Sequence, residues 1–223
     1  VRVLGVDAAG KVWVGVELVD GQFARAVTAA RLVDLPDLAD YAVVAVDIPL
    51  GLLDKGFRLA DTAARSLVGP RRSSVFLTAP RPVLLADSHH AASILHRQLT
   101  GMGLSQQSFA LRTRIVEADA LYSDDSLPLF EVHPELSFTM MGDGPPKAGK
   151  KSWHGQRDRM ARLESAGIVI PAEIGDAGQA GPDDVLDAAA AAWSAHRIET
   201  HVACSVPDPP QSNERGQRMA IWY

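Results

Sequence analysis

The chain has 223 residues, 47% of them hydrophobic and 22% charged, which suits a water-soluble globule with a sizeable core. Its net charge of −5 argues against a protein that is basic all over, so any surface for nucleic acid has to be local. A lone cysteine, Cys204, excludes an internal disulfide framework, and no apolar run approaches a membrane span, so a cytoplasmic protein with no membrane partner is expected.

In chain order, a β-branched run from Val1 leads to Asp7, and Ala8-Ala9-Gly10-Lys11 reads as a turn into a second strand, Val12 to Val19. Asp20-Gly21 is a tight-turn signal before a third antiparallel strand, Gln22 to Ala29. The stretch from Leu35 to Asp40 has room only for a short helix or turn. Val43 to Asp47 is another buried-type strand that runs into a carboxylate, and Pro49 ends it because proline has no N–H for a ladder.

From about residue 57 to 122 the pattern is helical and broken by loops. Helices are expected over Leu59 to Leu67, over Ala86 to Leu99 ending at Gly101, and over Ser105 to Tyr122 with the serine as cap. Between the first two lies a basic, hydroxyl-rich loop, Gly69-Pro70-Arg71-Arg72-Ser73-Ser74. Pro128 to Glu135 reads as a short strand ended by Pro134, and Met141 to Lys151 as an exposed loop. Trp153 to Ala166 reads as a basic helix, and an alanine-rich helix runs to about Ile198 with Asp183 as its N-cap. Arg218 to Tyr223 adds a last strand. With no linker or repeat, residues 1–223 are expected to form one domain with a helical insertion at about 57–122.

Asp7 and Asp47 lie where apolar strands end, and Asp184 and Asp187 are three apart, on one face of a helix. Taken singly, each has a plain explanation: Asp7 and Asp47 as turn residues, Asp184 as favourable to the helix dipole. Asp187 resists this, because it lies one turn inside a helix flanked by Leu186 and Ala188. Parallel strands would bring Asp7 and Asp47 to one sheet edge, and a helix packed there would add its pair. Four such acids repel one another unless a cation joins them. Mg²⁺ or Mn²⁺ suits carboxylate oxygens, and two such ions can stabilise the attacking and leaving oxygens of a phosphoryl displacement. Glu131 is a possible fifth member, although an exposed strand residue is the plainer expectation. His133 reads as structural.

Several blocks resemble a family of prokaryotic proteins known as domain of unknown function 429. They are Gly5-Val-Asp7-Ala-Ala-Gly10 with Trp13-Val-Gly-Val16, Val46-Asp47-Ile-Pro49-Leu-Gly51 and Arg72-Ser-Ser-Val-Phe76, then Gly103-Leu-Ser105 with Gln107 and Phe109. Phe130-Glu-Val-His-Pro-Glu135, Lys150-Lys151 and Asp183-Asp-Val-Leu-Asp187-Ala with Trp193 complete the set, in order over nearly the whole chain. The resemblance implies an α/β, RNase H-like fold, a mixed five-stranded sheet flanked by helices with a helical insertion after the fourth strand. It also implies a nuclease activity, itself an inference for the family. Asp7, Asp47, Asp184 and Asp187 match the acids such folds place on the first and fourth strands and on a late helix.

Two basic segments could track a phosphate backbone: Arg71, Arg72, Ser73 and Ser74, and the region of Lys150 and Lys151 that leads into the basic helix. A solvated loop and helix face explains the second equally well. Trp153 could stack on a base, whereas Trp13, Trp193 and Trp222 look like packing residues. The expected function is a metal-dependent nuclease that hydrolyses nucleic acid, RNA or DNA, with Asp7, Asp47, Glu131, Asp184 and Asp187 as its acids. The alternatives are an actin-like phosphotransferase or ATPase, and a non-catalytic module that binds nucleic acid or a cation.

Overall fold

The computed structural model describes residues 1–123 and 127–223. Strands β1 (Arg2–Ala9), β2 (Val12–Val19) and β3 (Gln22–Ala29) form the expected antiparallel meander. Two single-turn 3-10 segments, Leu32–Asp34 and Leu38–Asp40, replace a crossover helix before β4 (Val43–Val46). The insertion then supplies α1 (Leu59–Leu67), a 3-10 segment Gly69–Ser74, α2 (Arg81–Leu84), α3 (His89–Thr100), α4 (Gln106–Ala110) and α5 (Arg112–Tyr122). Then follow β5 (Leu129–Glu131), α6 (Pro134–Met141), α7 (Trp153–Ser165), α8 (Pro182–Glu199), β6 (Ser205–Ser212) and β7 (Arg218–Trp222).

The protein is therefore α/β, with a mixed five-stranded sheet in the order β3-β2-β1-β4-β5. β4 runs parallel to β1, and β5 parallel to β4. Successive side chains on a strand point to opposite faces, and here both faces are covered, so β1 and β2 are buried along almost their whole length. One face carries Leu4, Val6, Trp13, Val44 and Val46 against insertion residues such as Val83, Ile115 and Ala118. The other carries Val3, Val14, Val16, Val43 and Ala45 against the alanine run 188–192 of α8. Small side chains let α8 sit almost on the sheet. A Cβ added at Gly5 would lie 1.9 Å from the Ala192 nitrogen and 2.3 Å from the Ala188 oxygen.

Some boundaries differ from expectation. β1 continues through Asp7 to Ala9, because its antiparallel ladder with β2 runs on to the Ala9–Val12 pair, while the parallel ladder with β4 stops at Val6–Val46. The expected helix from Ser105 to Tyr122 is two helices meeting at Leu111, although Ser105 does cap the first through the Ser108 N–H at 3.0 Å. β5 stops at Glu131, short of Pro134, which instead starts an unanticipated helix, since proline fits the first helical turn, where its missing N–H has no partner to lose. Asp183 is not the N-cap of α8: Gly181 takes that place and Pro182 is the first helical residue, so Asp183 lies within the first turn. No described helix is long and apolar enough to cross a membrane.

Candidate functional site: a carboxylate cluster around Lys150

The sheet register decides which acids meet. Val6, Val46 and Glu131 lie side by side on neighbouring strands, and the Asp47 N–H donates to the Val6 carbonyl at 2.8 Å. Asp7 and Asp47 come one residue later on their strands. Their side chains therefore turn to the α8 face, while that of Glu131 turns to the insertion face.

On the α8 face, Asp7 and Asp187 are only 6% and 3% exposed. Burial raises the Asp7 carboxyl well above the ordinary range, and the charges of Asp47, Asp187 and Asp184 push the same way, against Lys150. Asp47 is pushed up to about 8, first by burial and then by Asp187, with Lys150 opposing. Burial also raises Asp187, against the attraction and hydrogen bond of Lys150. Asp184 is raised by burial and by Asp183. These four acids, singled out in the sequence, thus share one electrostatic environment. Asp7 keeps part of its turn-like character, for its Oδ1 accepts the Ala8 N–H at 2.8 Å.

The counter-charge is Lys150. Its Nζ donates to Asp187 Oδ2 at 2.7 Å and lies 3.7 Å from Asp183 Oδ2. Burial works against this ammonium, but Asp187, Asp7 and Asp47 outweigh it and hold its pKa above the usual lysine range. The loop that carries Lys150 is pinned. The Arg71 Nε donates to the Pro146 carbonyl at 2.8 Å, Arg159 Nη1 to that of Ala148 at 3.3 Å, and Ser152 Oγ to that of Gly149 at 2.8 Å. Gly155 lets α7 touch this loop, since a Cβ there would lie 2.0 Å from the Gly149 oxygen. Lys150, expected to bind phosphate, is thus turned inward, whereas Lys151 stays exposed and acts on Asp184.

Glu131 is placed differently. Arg58 Nη1 and Nη2 reach its two oxygens at 2.7 and 2.6 Å, and the Leu50 N–H adds a bond of 2.8 Å. Every acceptor that could serve a cation is already engaged, which makes this a structural ion pair. The acid that sequence reasoning passed over is Glu135, in the first turn of α6. It pairs with the buried Arg159, and its charge raises both Asp47 and Asp187. Its Oε2 is buried with no hydrogen-bond partner among the described residues, as is His133 Nδ1. The sequence signal was the compact His133-Pro134-Glu135, where the proline places a helix start beside the acids.

The basic loop reaches the rim. The Ser74 carbonyl lies 3.4 Å from His133 Nε2. Arg72, with Arg65 and Thr62, lines a cleft of about 760 Å³. Ser73 and Ser74 are exposed. A second cavity of about 530 Å³ lies beside Asp184, lined by Gly10, Lys11 and Gly181. At the start of α7, the Trp153 ring is 73% exposed, with the Arg157 guanidinium 6.0 Å from its centroid.

Fold and site together define an α/β protein whose mixed sheet gathers acids at the carboxyl ends of two parallel strands, under the start of a helix. The chain belongs to the DUF429 family, described as protein of unknown function, which matches residues 5–212. No curated protein and no solved structure matches it.

Among the described residues, no three His, Cys, Asp or Glu side chains are arranged as they stand to hold a metal ion. The donor chemistry nevertheless fits a hard divalent cation. Asp7, Asp47, Asp184 and Asp187 offer only carboxylate oxygens, and burial raises all four despite the nearby Lys150.

Proposed function

We propose that the protein is a metal-dependent nuclease that hydrolyses phosphodiester bonds of nucleic acid at this carboxylate cluster. The observation that carries it is the convergence of Asp7, Asp47 and Asp187 on the α8 face with more negative charge than Lys150 offsets. The strand order and directions support the RNase H-like architecture implied by the sequence resemblance.

Asp7, Asp47, Asp187 and Asp184 would hold Mg²⁺ or Mn²⁺. Such an ion, when bound, supplies Lewis-acid stabilisation of phosphoryl oxygens and lowers the pKa of water. The chain's own part is to orient substrate and exclude competing geometry. Arg72, Ser73, Ser74 and Lys151 are exposed, and a phosphate backbone could lie along them. The open face of Trp153 at the start of α7 offers a stacking surface for an unpaired base. A reducing, cytoplasmic setting accords with the single cysteine.

The test is to incubate the purified chain with Mg²⁺ or Mn²⁺ and RNA, DNA, hybrid and branched substrates. Cleavage that Asp7→Asn and Asp187→Asn both abolish is the expected result. No cutting of any of these substrates would sink the nuclease reading and leave a cation-binding module.

A further inference from the structure

Apart from the carboxylate cluster, the insertion carries the cleft of about 760 Å³, a size that suits a small ligand. α1 supplies Thr62, Arg65 and Ser66 to it, and the 3-10 segment supplies Pro70 and Arg72. Among the described residues that line it, none is acidic. The arginines on either side in sequence are neutralised, Arg58 by Asp61 and Glu131, and Arg81 by Asp119. Arg65 and Arg72 have no carboxylate partner among the described residues.

The cleft's side-chain donors are sorted by what they already bind. Thr62 and Ser66 give their hydroxyl protons to the Leu59 and Thr62 carbonyls at 3.0 and 3.1 Å, so their oxygens serve only as acceptors. Arg65 is steadied by one bond, from its Nη1 to the Val75 carbonyl at 3.2 Å, and its other N–H groups have no partner among the described residues. The donors left for a ligand are therefore guanidinium groups, whose planar fork matches phosphate oxygens. The wall that carries Arg72 is held as well, by the bond of Arg71 Nε to the Pro146 carbonyl at 2.8 Å. A phosphodiester has one negative charge, whereas a monoester carries about −1.5 to −2 at neutral pH, close to the opposite of two guanidinium groups. The last turn of α1 favours a cation and so explains Arg65 by itself, but it does not explain Arg72.

We propose that this cleft binds a phosphate monoester through Arg65 and Arg72, carried by a small compound or by the phosphorylated end of a nucleic-acid strand. The site is separate from the carboxylate cluster and requires neither a metal ion nor cleavage.

The experiment is calorimetry on the full chain in the presence of a chelator, with inorganic phosphate as the probe. Phosphate is expected to bind, and Arg65→Met and Arg72→Met each to weaken it about tenfold or more, the scale of one lost charge-assisted hydrogen bond. Arg215→Met, at the exposed turn between β6 and β7, should leave binding unchanged. Arg72 is exposed and makes no described bond, so its variant should unfold at the wild-type temperature and decides the matter even if Arg65→Met does not fold. No phosphate binding by the wild type, binding indifferent to Arg72→Met, or an equal loss in Arg215→Met would overturn the proposal. Short oligonucleotides with a 5′-phosphate or a 5′-hydroxyl then separate the two sources. A preference of about tenfold for the phosphorylated strand supports the site and assigns it to a strand end. Equal binding of the two strands, with phosphate still held through Arg72, supports it as a site for a small phosphorylated compound. Because no cleavage is measured, failure here leaves the nuclease reading standing.

Discussion

Two groups of buried acids lie on opposite faces of the same sheet and are treated in opposite ways. On the insertion face, Glu131 and Asp61 share Arg58: its Nη2 is 2.5 Å from Asp61 Oδ1 and 2.6 Å from Glu131 Oε1, and the Thr78 N–H covers Asp61 Oδ2 at 2.7 Å. On the α8 face, Lys150 is the positive charge that Asp7, Asp47 and Asp187 have in common, and burial raises all three despite it. Burial of a carboxylate therefore does not distinguish structure from function. The shortage of partners does, because a fold that needs an acid only for packing satisfies it, whereas a site keeps capacity in reserve.

Four outcomes would break or sharpen that contrast. The largest concerns Asp187→Asn: cleavage is expected to drop on the order of 10³-fold, the scale of losing a main charge-stabilising group. Thermal unfolding should meanwhile be unchanged or improved, since the substitution relieves repulsion. A variant that unfolds would make Asp187 structural. Next, Arg58→Met strands two buried carboxylates and should cost about 3–5 kcal/mol in urea unfolding. A loss under about 1 kcal/mol would erase the difference between the two faces.

Third, Mg²⁺ at about a hundredfold over its dissociation constant should add about 2.7 kcal/mol of stability. Asp47→Asn should abolish most of that gain in a thermal shift measurement, and Glu131→Gln should not. The smallest effect is on pH. A carboxyl in an unfolded chain titrates near about 4, whereas that of Asp47 is pushed up to about 8 by burial and Asp187. The folded state thus holds a proton that the unfolded state has released. This contribution is fully present below about pH 4 and is lost as pH rises through about 8. Without metal, stability should fall over that interval, and Asp47→Asn should flatten the fall. A rise with pH would contradict it.

Much of the fold was legible locally. The boundaries of β2, β3 and α1 follow from turn signals and apolar periodicity alone. Ser105 announces a helix start because its hydroxyl satisfies a free N–H group. Local signals misled at two prolines: Pro134, read as a strand end, opens a helix, and Pro182 inside α8 displaced Asp183 from the cap.

By itself, the sequence determined that strands covered on both faces alternate with helices, that acids recur where those strands end, and that Asp184 and Asp187 share a helical face. These are short-range properties, set by side-chain period and capping. Only the tertiary structure decided which acids meet. The parallel register sends Glu131 to one face and Asp7 and Asp47 to the other, Gly5 and the alanines of α8 let Asp187 close over them, and Lys150 is brought 37 residues along the chain to balance the charge. Charge balance depends on distances between elements remote in sequence, and those distances are set by packing.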